Sequence, residues 1–335
     1  MRRRKKIPIV ILALFLIIAA FTIFLLRRPS GTVEADKIDW GVAFSKPFAI
    51  DMGLNWQEAY LAILDELKPK FIRLPIYWQD VERQSQTYNF ADYDWLVEQA
   101  KIRNIKLILV IGRKVPRWPE CHLPNWALAL NEKSQQAKLF SLIPEIINRY
   151  KNLENLYAWQ VENEPFLSFG ECPKLDVDFL DKEISLARSL DNKRPIIITD
   201  SGELSVWLRA VKRADIFGTT MYRIVYNEYT GYFKYPLPPK FFWLKANLAH
   251  LFYPGKPIIV SELQAEPWGP KMIYETSLEE QNKSMNLEQF YDNIEYARAV
   301  GFPEVCFWGA EWWYWLKTKH NQPEIWEAAQ KTINP

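Results

Sequence analysis

At 335 residues, with 49% hydrophobic and 24% charged side chains, the chain can bury one large core or two ordinary ones. Its net charge is only +2, and much of the basic excess sits in Arg2, Arg3, Arg4, Lys5 and Lys6. The remaining body has no basic stripe to track phosphates, which argues against a nucleic-acid partner. Three cysteines do not make a disulfide framework, and no metal-ligand spacing occurs, so no metal or other cofactor is expected.

Residues 7–26 carry no charge, only Pro8 interrupts the aliphatic run, and Arg27-Arg28-Pro29 closes it. Twenty such residues reach across a bilayer core as a helix. Five basic residues before the run against two after it put the amino terminus in the cytoplasm and the body outside. Residues 1–28 are therefore expected to be a cytoplasmic basic start and a transmembrane anchor in the lipid bilayer, and 29–38 a short polar tether. A cleaved signal peptide ending near Val33-Glu34-Ala35 is the rival, leaving a secreted body; the long apolar run and the distant site favour the uncleaved anchor.

Over 39–335, short apolar runs rich in β-branched and aromatic residues alternate with stretches of helical periodicity. The expected strands are 40–44, 71–74, 106–111, 156–161, 195–199, 216–221, 257–261 and 304–308. Helical spacing appears between them, as in Phe140, Ile143 and Ile147, or in 287–300. Eight alternating β and α units predict a (β/α)₈ TIM barrel preceded by one N-terminal transmembrane helix. A doubly wound open sheet would usually carry a glycine-rich phosphate turn after an early strand, and none is present. Cys121 and Cys172 fall in loops that follow strands and, outside the cytoplasm, are expected to pair; Cys306 lies in the run Val305-Cys306-Phe307-Trp308 and is expected to be a buried thiol.

Two strands end at carboxylates beside turn signals. Trp159-Gln160-Val161-Glu162-Asn163-Glu164-Pro165 closes the fourth, and Pro257-Ile258-Ile259-Val260-Ser261-Glu262 the seventh. The carboxyl ends of barrel strands are where barrel enzymes keep their chemistry. Two carboxyls facing each other there are the minimum machinery for cleaving a glycosidic bond. Glu203, Glu266 and Glu311 are rival carboxylates, each in a loop past its strand.

With these residues in place, the chain resembles glycoside hydrolase clan A, the retaining (β/α)₈ glycosidases that include cellulase-like and β-galactosidase-like families. The motif is carried by Asn163-Glu164-Pro165 and Glu262, supported by Arg73 at the end of the second strand, Tyr222 closing the sixth and Trp308-Gly309 closing the eighth. The resemblance covers 39–335 and implies an O-glycosyl hydrolase acting on a β-linked poly- or oligosaccharide by double displacement. It implies Glu164 as acid/base and Glu262 as nucleophile, with Arg73 and Tyr222 beside Glu262 and Asn163 on the sugar 2-hydroxyl. Trp308 is expected to floor the sugar site, and Trp118 and Trp78 are further candidates for sugar contact. The histidines that many relatives carry after the third strand and before the sixth-strand tyrosine are replaced by Gly112-Arg113 and Thr220-Met221. The alternative is a non-catalytic, membrane-tethered glycan-binding barrel, which the intact glutamates argue against.

Overall fold

The computed structural model describes residues 6–335, without the side chains of residues 6–10 and 12–14. Eight parallel strands close a barrel: β1 (Asp39–Ala43), β2 (Phe71–Pro75), β3 (Lys106–Ile111), β4 (Leu156–Val161), β5 (Ile196–Asp200), β6 (Ile216–Met221), β9 (Ile258–Gln264) and β10 (Glu304–Trp308). The remaining two, β7 (Ile224–Asn227) and β8 (Gly231–Lys234), form an antiparallel hairpin in the loop after β6. Every strand expected from the sequence is found. The largest difference is β9, which runs three residues beyond its expected end, through Glu262 to Gln264.

Barrel strands are covered on both faces, so they appear in the sequence as continuous apolar runs rather than alternating ones. Inward-facing Ala43, Phe71, Ile108, Ala158, Ile197, Ile216, Ile259, Cys306 and Trp308 fill the barrel. The outward-facing set, including Val42, Leu107, Leu109, Trp159, Ile198, Val260 and Phe307, packs under the helices. Those helices start where the sequence supplies side-chain caps. Asn131 opens Glu132–Tyr150, Asp176 opens Val177–Leu190 and Asn286 opens Leu287–Val300, each accepting from a backbone N–H of the first turn. A cap of this kind is worth about 1 kcal/mol. Cys306 is a buried thiol within the barrel.

The amino-terminal segment forms the helix Lys6–Leu26. Among the described residues no helix is long and apolar enough to cross a membrane. The expected span over 7–26 therefore gains no support from the structure, and it falls in part on side chains outside those described. Where this helix ends, Asn247 Nδ2, from the helix Pro239–Phe252, donates to the carbonyls of Leu25 (3.0 Å) and Arg27 (2.7 Å). Val33 N then donates to Gly301 O at 2.8 Å and Pro29 is buried. Residues 29–38 thus touch the body at Pro29, Val33 and Ile38, while Ser30, Gly31, Glu34, Ala35, Asp36 and Lys37 are exposed.

Candidate active site

The carboxyl ends of the strands bring Arg73, Gln160, Asn163 and Glu262 into one buried network. Arg73 donates through Nε to Gln160 Oε1 (2.8 Å), through one terminal nitrogen to Glu262 Oε1 (2.7 Å) and through the other to Asn163 Oδ1 (2.8 Å). A planar fork with fixed donor directions suits this task, and lysine could not reproduce it. Tyr222 completes the setting by donating its hydroxyl to Glu262 Oε2 at 2.9 Å. Burial first, and the charge of Glu262 next, push the Tyr222 phenol well above its ordinary value, so it stays a donor.

Glu262 points into the barrel because β9 contains one extra residue. Between Val260 and Glu262 the ladder to β6 advances by only one residue, from Thr219 to Thr220. Between Val260 and Leu263 the ladder to β10 advances by only two, from Val305 to Phe307. Ile259 faces the barrel interior, so strict alternation would turn Ser261 inward and Glu262 outward. The bulge re-aims the glutamate while Leu263 keeps its place in the outer core.

Glu164 sits on a strained turn. Glu162 and Glu164 both adopt left-handed backbone, with φ of 56° and 40°, a conformation that costs roughly 1–3 kcal/mol per residue and needs support from its surroundings. The support is visible. The carboxylate of Glu162 accepts from the backbone N–H of Arg113 (2.8 Å) and Lys114 (2.6 Å), Thr199 Oγ1 accepts from Glu164 N (2.8 Å), and Lys114 Nζ donates to Glu164 O (3.0 Å). The hydroxyl of Thr220 donates to Glu164 Oε1 at 3.3 Å. Burial, then the negative charge of Glu262, push the Glu164 carboxyl well above the usual carboxylate range.

The loop after β3 crosses this site. A disulfide joins Cys121 to Cys172, 51 residues later, and so staples the β3 loop to the β4 loop. The Trp118–Pro119 peptide is cis, and Arg117 and Glu120 have positive φ. The Arg117 guanidinium lies between the rings of Phe48 (3.6 Å) and Trp308 (4.0 Å) and ion-pairs with Glu266 and Glu311. Trp118, Phe169, Trp268 and Tyr222 form an aromatic wall with successive ring centroids 5.8, 5.6 and 5.2 Å apart. A cavity of about 590 Å³ opens at the other end of the barrel, lined by Lys106, Asn155 and Lys193, and touches neither glutamate. Among the described residues no group of three His, Cys, Asp or Glu side chains could hold a metal ion.

Residues 44–304 match the cellulase family, glycosyl hydrolase family 5. The chain belongs to this family. It is an O-glycosyl hydrolase built on the clan A barrel. Solved structures with the same fold include xylanase 10B from Thermotoga maritima, 17% identical over 89% of this chain and 97% of that one, with a TM-score of 0.54. An endo-β-1,4-xylanase from Gloeophyllum trabeum is 17% identical over 92% of this chain and 100% of its own, with a TM-score of 0.55. A β-glucosidase from Exiguobacterium marinum is 12% identical over 82% of this chain and 89% of its own, with a TM-score of 0.52.

Within this family 5 barrel the residues singled out from the sequence have different fates. Arg73, Asn163, Glu164, Tyr222 and Glu262 converge. Trp308 is beside them, nearly buried, with one face covered by Arg117. Trp118 is on the rim, 50% exposed, against Phe169. Trp78 is not available to a ligand. It is wholly buried, donates its indole N–H to Glu82 at 2.7 Å and packs edge-on against Trp126 in the outer core. The rival carboxylates have structural partners: Glu266 and Glu311 hold Arg117, and Glu203 accepts from Tyr222 N at 2.9 Å. His122 is buried under the β3 loop, its ring Nε2 2.9 Å from Arg117 O, and burial lowers its pKa to about 4. The basic residues of that loop are also taken up by the protein, Arg113 by Glu132 and Lys114 by backbone carbonyls. Sequence reasoning missed Glu120, Phe169 and Trp268. Nothing in their local sequence marks them, since each reaches the site through loop geometry.

Proposed function

We propose that the enzyme is a retaining glycosidase in which Glu164 is the acid/base and Glu262 the nucleophile. Protonated Glu164 gives its proton to the glycosidic oxygen as Glu262 attacks the anomeric carbon, so the leaving sugar departs and a glycosyl-enzyme ester forms. Glu164, now ionised, takes a proton from water, and the resulting hydroxide equivalent releases the sugar with net retention. The observation that carries this reading is the difference in setting of the two acids. Glu262 has a buried guanidinium partner in Arg73, whereas among the described residues no cation pairs with the Glu164 carboxyl, which stays protonated well above the usual range. Asn163, fixed by Arg73, is set to donate Nδ2 to the sugar 2-hydroxyl, and Trp308 to support the ring.

A β-linked poly- or oligosaccharide is the substrate class. The cellulase family name and the xylanase and β-glucosidase descriptions of the structural relatives support it. The uncharged run 7–26 with its basic flanks supports an anchor that leaves the barrel outside the cytoplasm. Treating intact cells and membranes with protease tests the location: the barrel is cleaved on intact cells if it is outside and protected if it is not.

The chemistry is tested with Glu262→Gly and an activated aryl β-glycoside. Turnover is lost, and added azide restores it with formation of a glycosyl azide of inverted configuration. Unchanged activity in Glu262→Gly overturns the assignment. Sugar binding without turnover by the unmodified protein favours the glycan-binding alternative.

A further inference from the structure

A third carboxyl group stands in this site, and the double displacement has no use for it. Glu120, on the stapled β3 loop, is only 7% exposed, and its Oε2 accepts from Asn163 Nδ2 at 3.0 Å. Among the described residues no protein donor reaches its Oε1. The nearest cations are already committed, Arg73 to Glu262, Asn163 and Gln160, and Lys114 to the carbonyls of Glu164 and Leu167. A buried acid without a cation is costly, and a neutral side chain would be cheaper for the fold.

Orienting Asn163 does not explain the cost. Its Oδ1 already accepts from Arg73 (2.8 Å), Thr199 (3.3 Å) and Gln160 (3.4 Å), which fixes the amide without Glu120. Yet the fold holds Glu120 firmly. The Cys121–Cys172 disulfide is next to it, Val115 N donates to its carbonyl at 2.9 Å, and Gly170 lies so close that a Cβ there would be 2.6 Å from the Glu120 Cβ. A costly group, held rigidly beside the sugar-facing amide with one oxygen that no protein donor reaches, is placed to meet a ligand atom.

We propose that Glu120 is a specificity-determining residue that hydrogen-bonds the sugar 3-hydroxyl. This rests on the assignment of Asn163 to the 2-hydroxyl, because on a pyranose ring the 3-hydroxyl is then the only hydroxyl adjacent to it. Oε2 accepts from Asn163, and Oε1 carries the proton and donates it to the sugar oxygen. Burial, the largest influence, holds the carboxyl protonated up to about 8, which suits a neutral donor. A site built around such a contact discriminates strongly against a sugar that lacks the hydroxyl.

The test compares the wild type, Glu120→Ala and Glu120→Gln on two substrates. One is whichever aryl β-glycoside the wild type turns over fastest among glucoside, galactoside, mannoside and xyloside, and the other is its 3-deoxy counterpart. Glu120→Ala is expected to lower kcat/KM about 10- to 100-fold on the full substrate and less than about 3-fold on the 3-deoxy one, the scale of one hydrogen bond to a buried polar partner. Glu120→Gln keeps both the acceptor and a donor, so it is expected to retain activity within about 5-fold and to lack the rise in KM expected of the wild type above pH 8. Equal losses on both substrates in Glu120→Ala, or a Gln variant as impaired as Ala while still folded, overturn the inference. If the wild type turns over none of the glycosides, the hydrolase reading fails by itself. The inference is then decided by calorimetric affinities for the methyl glycoside and its 3-deoxy form: loss of the preference in Glu120→Ala supports it, and an unchanged preference overturns it.

Discussion

Arg73 and Glu262 form an ion pair at 2.7 Å that is almost sealed from solvent, their side chains only 1% and 5% exposed. The same guanidinium holds Asn163 at 2.8 Å, so one residue from β2 sets the spacing between the β4 and β9 contributions. Removing one partner of such a pair leaves an uncompensated buried charge, at a cost of about 3–5 kcal/mol. Arg73→Ala is expected to show that loss in urea unfolding, together with a fall in kcat of about 100-fold or more. Arg73→Lys should recover much of the stability but little of the rate, since an ammonium can pair with Glu262 without also holding Gln160 and Asn163. Equal recovery of both would show that charge alone matters.

Glu164 should titrate lower when Glu262 loses its charge. Burial makes the largest contribution to its raised value and persists in Glu262→Gln, but the repulsion from Glu262, the next largest, disappears. Carbon NMR of labelled glutamate is expected to show the Glu164 pKa still raised in the variant, yet clearly below that of the wild type. If Glu164 is the acid proposed above, kcat/KM of the wild type should decline on the alkaline side as its carboxyl loses its proton. An unchanged Glu164 titration in Glu262→Gln would mean the two groups do not sense each other.

Stability should depend on pH in a direction set by Glu120. Unfolded, its carboxyl ionises near 4.5, the ordinary value for a glutamate, while in the folded protein it holds its proton up to about 8. Between these values the unfolded chain binds fewer protons, so raising the pH favours unfolding. The contribution is fully present below about 4.5 and gone above about 8. Glu203 and Glu266, each raised by burial to about 7, act in the same direction over a narrower window. The urea midpoint of the wild type is expected to fall between pH 5 and 8, and Glu120→Gln should flatten that fall. A midpoint that rises with pH in the wild type would contradict the burial argument.

The barrel was legible because buried parallel strands are continuous apolar runs, and their ends carry Arg73, Glu164, Tyr222 and Glu262 in chain order. The inward turn of Glu262 was not legible, since it depends on an extra residue in β9 that appears only in the pairing with β6 and β10. Glu120 was hidden for a similar reason. It is nine residues beyond the end of β3, and only the folded loop, with its staple to Cys172, returns it to Asn163. Trp78 misled because a tryptophan just after a strand can face either the cleft or the helices, and the choice was made by packing against Trp126 and a bond to Glu82.

The Cys121–Cys172 bridge closes a loop of 51 residues, for which the chain-entropy estimate is about 4 kcal/mol. Replacing both cysteines by serine is expected to lower stability by up to that amount. Activity should fall further than stability alone accounts for at 25 °C, because Glu120 and the Trp118–Phe169 wall ride on the stapled loops. Unfolding curves and kcat/KM for the oxidised protein, the reduced protein and the double serine variant check this. Full activity in the folded double variant would show that the loops hold their positions without the covalent link.

Gly112 offers a separation of backbone cost from site cost. Its φ is +123°, and a Cβ there would fall on the Glu162 carboxylate that braces the turn before Glu164. Gly53 also has positive φ, +68°, but nothing lies within 4 Å of where its Cβ would be. Gly53→Ala should therefore cost about 1–2 kcal/mol for left-handed backbone and leave kcat/KM unchanged. Gly112→Ala carries the backbone cost and must also displace Glu162, which releases the N–H groups of Arg113 and Lys114 and loosens the strained turn. Its stability loss should exceed that of Gly53→Ala by at least about 1 kcal/mol, the value of a lost buried hydrogen bond. Its kcat should fall as well, while the Gly53 variant keeps the wild-type rate. Matching behaviour of the two alanine variants in denaturation and in turnover would mean that Glu162 does not brace the site.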